Sequence, residues 1–284
     1  MNSLFPTSTV IYSRGRLLDF SKPLVMGVLN ATPNSFYNRG RGSDLDSLLR
    51  TAEKMLAEGA AILDLGGASS KPGEPLIAAS DELARVMPVV LAIAKHFPEA
   101  WLSIDTYNAQ VAKETVHAGV SIVNDISAGE IDPQMHATVA QLQVPYLLMH
   151  MQGKPMTMQQ APTYTNVVAE VRNYLVTRTE MCVAAGIRDV IIDPGFGFGK
   201  TIAHNFELLA HLSEFRIMGR PILAGMSRKS MVCRPLNISP ENALNGTTAL
   251  NMAALLQGAH LLRVHDVREA CETVKLYNCM RGAD

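Results

Sequence analysis

The sequence predicts an α/β fold, a single (β/α)8 TIM barrel, and three observations lead there. Short runs that are apolar at nearly every position alternate with longer stretches of helical periodicity, eight times in one chain. Runs of that kind are parallel strands covered by helices on the outside. The length, 284 residues, suits either two average domains or one barrel of about 250 residues. No Gly/Ser linker, charge block or low-complexity segment divides it, so one domain over residues 1–284 is expected. A doubly wound sheet would carry GxGxxG after its first strand, and none is there.

The elements follow in order. Val10–Leu18, with Ser13-Arg14-Gly15 at its middle, reads as a β-hairpin closing the barrel floor. Val25–Leu29 reads as the first barrel strand, followed by an amphipathic helix over Asp44–Glu58. Ile62–Leu65 precedes a helix over Asp81–Lys95, and Leu102–Asp105 precedes Ala109–His117. Ile122–Asn124 precedes Pro133–Leu142, and Tyr146–His150 precedes Asn166–Ala185. Val190–Asp193 precedes Asn205–Leu212, and Ile222–Gly225 precedes Ala243–Gln257. Leu261–Val264 and Val267–Asn278 make the eighth unit. Gly59, Gly119, Gly186 and Gly258 stand where helices stop before the next strand.

Composition excludes several functions. The chain is 48% hydrophobic with a net charge of -1, which argues against disorder and against a broad basic surface for nucleic acid. Its longest apolar runs, such as Met87 to Ala94, are too short to cross a bilayer. The N-terminus lacks the pattern of a secretory signal. Cys182, Cys233, Cys271 and Cys279 form no CxxC pair and read as free thiols in a reducing, cytoplasmic setting.

Polar residues stand at the C-terminal ends of the predicted strands: Asn30, Asp64, Asp105, Asn124-Asp125, His150 and Asp193. Ser227-Arg228-Lys229-Ser230 follows the seventh strand, and Arg263 and His265 lie on and after the eighth. In a barrel these ends meet at one mouth, where active sites lie. Carboxylates gathered there need partners. Lys229 and Arg263 are candidates, and so is a heterocycle rich in N–H donors; a purely structural ion-pair network is the plain alternative. Arg263, His265 and the run leading from Ser227 into a possible helix start suit an anion, and the Asn30 amide oxygen suits a metal. His150, between Met149 and Met151, suits packing as well as function. Asp193–Lys200 has three glycines in five positions, a tight turn or a close approach to ligand, with phenylalanines as walls. Residues 32–42 and 66–73 read as covers over the mouth or as ordinary surface loops.

The motifs in their order resemble the dihydropteroate synthase family of pterin-binding barrels over almost the whole chain. The matching segments are residues 27–36, Asp64-Leu65-Gly66-Gly67, Ser103-Ile104-Asp105-Thr106, Val123-Asn124-Asp125-Ile126, residues 148–153, Asp193–Lys200, Ser227–Ser230 and Arg263-Val264-His265-Asp266. The resemblance implies a transferase of folate synthesis that joins 6-hydroxymethyl-7,8-dihydropterin diphosphate to 4-aminobenzoate and releases pyrophosphate. It implies that Asp193 grips the aminopyrimidine edge of the pterin with help from Asp105 and Asn124, and that Lys229 meets its carbonyl side. Arg263 would stack on the ring and, with His265 and Asn30, hold the diphosphate, with Asn30 touching Mg²⁺. Phe198 and Ser230 would border the 4-aminobenzoate site, and Phe36, Ser70 and Lys71 would belong to the cover loops. The resemblance also implies a dissociative reaction, sulfonamide competition with 4-aminobenzoate, and a homodimer built on an apolar helix face.

Both cover loops depart from the family pattern. Asn34 and Asn38 stand where acids are usual, and Ala68-Ser69-Ser70-Lys71-Pro72-Gly73 replaces Glu-Ser-Thr-Arg-Pro-Gly. Exchange of Arg for Lys is not neutral at a bidentate contact. Two competing readings are a corrinoid-dependent methyltransferase using methyltetrahydrofolate and a non-catalytic pterin binder. The first has no diphosphate to hold, and Mg²⁺-dependent pyrophosphate release separates all three.

Overall fold

The computed structural model describes residues 9–31, 41–68, 74–153, 157, 158 and 160–282, without the side chains of 41–44. The chain opens with an antiparallel hairpin, β1 (Val10–Ser13) and β2 (Arg16–Asp19), in register Ser13 to Arg16. Its two-residue turn puts Arg14 at φ 52° and Gly15 at φ 79°. Positive φ at both central residues matches the twist of the flanking strands, and glycine takes it without strain.

Eight parallel strands follow: β3 (Leu24–Asn30), β4 (Ile62–Gly66), β5 (Trp101–Asp105), β6 (Ile122–Asp125), β7 (Tyr146–Met149), β8 (Val190–Asp193), β9 (Leu223–Ala224) and β10 (Leu261–Val264). Their order in the sheet is β8-β7-β6-β5-β4-β3-β10-β9. A parallel bridge between Ile192 and Ile222 joins the two ends into a barrel. There Ile192 N–H donates to Pro221 O at 3.0 Å. The helices are α1 (Arg41–Ala57), α2 (Ala79–His96), α3 (Ala109–His117), α4 (Met135–Leu142), α5 (Val167–Ala185), α6 (Ile202–Ala210), α7 (Ser230–Leu236), α8 (Leu244–Leu256) and α9 (Val267–Arg281). Local chemistry starts and stops them. The Asn166 side chain caps α5 by accepting from Ala169 N–H, and Gly186, at φ 99°, ends it. Thr201 and His204 form a capping box at the start of α6.

Three differences from the sequence reading stand out. The seventh barrel strand shrinks to Leu223–Ala224, because Ile222 is spent on the closing bridge and Gly225 leaves the ladder. The sixth helix ends at Ala210 and passes into a 3-10 segment, Leu212–Met218. The fifth strand stops at Met149, and His150 N–H donates to Asp193 O just beyond it.

The core has two layers. Val, Leu and Ile of the helices pack on the outside of the barrel. Inside, the floor takes one side chain from each barrel strand: Met26, Ile62, Trp101, Ile122, Leu147, Ile191, Leu223 and Leu261. Ile11 and Phe20, from the hairpin and its exit, complete this layer at 2% and 1% exposure. Polar bonds fix the hairpin there. Ser13 Oγ donates to Ser121 O at 2.8 Å, Arg14 to Val116 O at 2.7 Å, and the Arg16 guanidinium lies 5.0 Å from the centre of the Trp101 ring. The floor is thereby sealed, and the opposite end carries the polar residues. Among the described residues no helix is long and apolar enough to cross a membrane. All four cysteines are free.

Candidate active site

Strand register builds the mouth. Asn30 is paired with Gly66, Gly66 with Asp105, and Asp105 with Asn124, so strands β3 to β6 end in one polar row. Asp64, two residues before Gly66, lies one layer deeper on the same face. Asp193 pairs with Met149 across β7 and β8. Arg263 reaches this row from β10.

Arg263 is the hub. Its Nε donates to Asp64 Oδ2 at 2.7 Å and its Nη2 donates to Asp105 Oδ2 at 2.7 Å. Asn124 Nδ2 donates to the same Asp64 oxygen at 3.0 Å. Asp64 is fully buried, and its Oδ1 makes no hydrogen bond to the described residues. Burial works against the charge of Arg263, but Asp64 and Asp105 outweigh it and hold the guanidinium firmly protonated. Burial pushes the Asp105 carboxyl up to about 7, opposed by Arg263.

Asp193 and Lys229 form the other half. Asp193 is 6% exposed, and its Oδ1 accepts from Gly195 N–H at 2.7 Å. Burial raises its carboxyl above the usual range, and the nearby Lys229 charge opposes that. Among the described residues Asp193 has no direct ion pair, since Lys229 Nζ donates to Phe196 O at 2.6 Å. The same ammonium sits 4.7 Å from the centre of the Phe198 ring. Burial pulls Lys229 down to about 8. Phe198 belongs to an apolar group with Tyr107, Ile126, Met149 and Met151, against which the half-buried Ala68 packs.

The run from Ser227 to Ser230 divides its labour. Ser227 Oγ accepts from His265 N–H at 3.2 Å and lies 3.0 Å from His265 Nδ1. The hydrogen bond between Ser227 Oγ and Nδ1 fixes the orientation of the ring. Burial, then the Arg263 and Arg228 charges, pull His265 down to about 4, so it serves as a neutral N–H donor. Arg228, at φ 58°, turns away to a bidentate pair with Asp266, at 3.0 and 2.6 Å. It ties the loop after β9 to the loop after β10. Lys229 enters the mouth and is the N-cap residue of α7, whose first residue is the exposed Ser230.

Among the sequence candidates, Asn30, Asp105, Asn124, Asp193, Lys229, Phe198, Arg263, His265 and Ser230 thus come to one end of the barrel. Phe36, Ser70, Lys71, Asn34 and Asn38 lie outside the described residues, as do most of both cover loops. Asp125 separates from the set. It is buried and bonded to Ser127, Gly129 and Tyr146, which makes it a turn-forming group. Three residues carry more than their sequence signal suggested. Asp64 had a place at the mouth but no assigned role. Ser227 orients the His265 ring, for which no sequence signal exists. Lys200 ends the glycine-rich loop and is buried against His150. Among the described residues no three His, Cys, Asp or Glu side chains are grouped to hold a metal.

Comparison with known proteins adds a second line. The family model described as "Pterin binding enzyme" matches residues 26–265. The dihydropteroate synthase of Escherichia coli strain K12 is 44% identical over 275 residues, 96% of this chain and 97% of that one. The Yersinia pestis dihydropteroate synthase, solved as a sulfonamide drug complex, superposes with a TM-score of 0.91 at 44% identity, covering 96% of this chain and 100% of that one. The Xanthomonas albilineans dihydropteroate synthase, solved with 4-aminobenzoic acid, gives a TM-score of 0.89 at 37% identity, covering 98% and 100%.

Proposed function

The chain belongs to the pterin-binding enzyme family, among the dihydropteroate synthases, and from that premise we propose how its mouth performs their reaction. The reaction condenses 6-hydroxymethyl-7,8-dihydropterin diphosphate with 4-aminobenzoate to 7,8-dihydropteroate and pyrophosphate.

The observation that carries the residue assignments is the Arg263 fork between Asp64 and Asp105, set beside Asp193 and Lys229. Such a mouth offers carboxylate acceptors to a ring with N–H donors and cationic donors to an anion. Asp193 takes the aminopyrimidine edge of the pterin, with Asp105 and Asn124 alongside, and Lys229 turns to the ring carbonyl. The guanidinium plane of Arg263, fixed by its two carboxylates, stacks on the ring. Its remaining N–H groups, the ring of His265 and Asn30 hold the diphosphate. Phe198 and Ser230 border the 4-aminobenzoate, and Phe36, Ser70 and Lys71 belong to the loops that cover it. A sulfonamide competes at that border.

Bond breaking comes first. The C–O bond to the diphosphate breaks with its electron pair leaving on oxygen, and a methylene cation conjugated to the dihydropterin remains. Arg263 and His265 stabilise the departing anion, while Asp105 and Asp193 stabilise the cation. The aniline nitrogen then attacks the methylene carbon and loses a proton to solvent. Covering loops keep water from capturing the cation first. The amide oxygen of Asn30, at the exposed end of β3, is a hard donor of the kind Mg²⁺ would take. Asn30 would hold the ion, which supplies neutralisation of diphosphate charge.

Free thiols support a reducing cytosol as the setting. The apolar groove between α5 and Leu212–Met218, with Val176, Val183 and Ile217 exposed, supports a helix-face homodimer. The residue assignment is tested by Asp193→Asn, which is expected to abolish pterin binding in calorimetry. Unchanged affinity would remove Asp193 from the site.

A further inference from the structure

Lys200 is 3% exposed, and its ammonium donates to three neutral acceptors at close range. These are His150 Nδ1 at 2.9 Å, Gly195 O at 2.9 Å and Phe198 O at 3.0 Å, with His150 O further off at 3.4 Å. Burial pulls this ammonium well below the ordinary lysine range, opposed by the Asp193 charge, and its hydrogen bonds go only to neutral groups, so holding it here is costly. A neutral donor would satisfy a turn at lower cost, but no other side chain aims three N–H bonds from a single atom. Lys200 uses them to join two carbonyls of the loop after β8 to the ring that follows β7.

The two sides of the loop are held differently. Asp193 is a strand residue, fixed by its register with Met149 and by His150 N–H. Phe198 lies beyond the strand, in a turn closed by its own N–H to Gly195 O at 3.1 Å. Lys200 binds both carbonyls of that turn. His150 is a rigid acceptor, 5% exposed, with its ring edge-on to Tyr174 at 4.8 Å between centres. Burial holds the imidazole neutral, down at about 2, so Nδ1 stays available to accept. The loop also lies directly on the backbone beneath it. A Cβ at Gly195 would stand 1.9 Å from His150 O, and one at Gly199 2.4 Å from Gln152 O.

We propose that Lys200, with His150 as its fixed acceptor, is a positioning residue that sets the Phe198 wall of the 4-aminobenzoate side, with a smaller effect on Asp193, whose backbone β8 holds and whose carboxylate meets Gly195 N–H of the same turn. The proposal rests on the assignment of Phe198 given above. It touches no substrate atom directly. Its signature is a change much larger for 4-aminobenzoate than for the pterin.

The test uses pyrophosphate release with both substrates varied, beside calorimetry with the pterin diphosphate. Lys200→Met is expected to raise KM for 4-aminobenzoate at least tenfold and to change pterin affinity less than threefold. His150→Leu, which removes the acceptor, is expected to move KM in the same direction. His150→Gln, which keeps an acceptor oxygen, is expected to restore most of the loss. If Lys200→Met does not fold, the His150 pair decides. An unchanged KM in Lys200→Met, a pterin loss as large as the KM change, or equal behaviour of Leu and Gln at 150 would overturn the proposal. Wild-type protein that releases no pyrophosphate would instead refute the reading beneath it.

Discussion

Lys229 shows how one residue can tie structure to a measurable pH response. Burial pulls its ammonium down to about 8, with Asp193 resisting. In the free enzyme the charge is therefore present below pH 8 and lost as pH rises through it. The pH profile of kcat/KM, which reports the free enzyme, is expected to fall above about pH 8. Lys229→Arg, which keeps its charge, is expected to remove that limb even though it lowers the absolute rate. A limb that stays near 8 in the Arg variant would assign the titration to another group. The same shift acts on stability with the opposite sense. Between pH 8 and the ordinary lysine range the unfolded chain binds a proton that the folded chain does not, so stability rises with pH there. At this scale the sequence showed which residues gather, but not how they pair. Arg263 and Asp64 are 199 positions apart, and either Lys229 or Arg263 could have served the carboxylates. Only the closed barrel decides that Arg263 takes two of them and that Lys229 turns to a carbonyl.

Elements divide the molecule into a stable floor and a chemical mouth. The hairpin was legible because Arg14-Gly15 sits between two alternating runs, and the barrel strands because they are apolar on both faces. The short β9 and the 3-10 segment Leu212–Met218 were not legible. Ring closure and packing set their lengths, and neither leaves a periodic signal. The division predicts that damage to the floor spares the chemistry. Phe20 is 1% exposed and packs with Ile11 against the floor layer. Phe20→Ala is expected to cost about 3 kcal/mol and to lower Tm by roughly 6–12 °C. kcat/KM is expected to stay within about twofold of wild type, a loss of less than ~0.5 kcal/mol in transition-state stabilisation. A large fall in kcat/KM measured well below Tm would show that the two ends are coupled.

Across the whole molecule 25 basic and 26 acidic side chains nearly cancel, and that balance says little by itself. What matters is where the barrel concentrates charge. Asp64, Asp105 and Asp193 meet Arg263 and Lys229 at one end, largely out of water, where electrostatic contacts count for more than at the surface. That concentration is suited to a substrate that is itself divided, a donor-rich ring carrying an anionic leaving group. The most direct test is pyrophosphate release from 6-hydroxymethyl-7,8-dihydropterin diphosphate, measured with and without 4-aminobenzoate and Mg²⁺. Release is expected to require Mg²⁺, to be matched mole for mole by 7,8-dihydropteroate when 4-aminobenzoate is present, and to be absent in Asp193→Asn. Tight pterin binding with no pyrophosphate released under any of these conditions would contradict this.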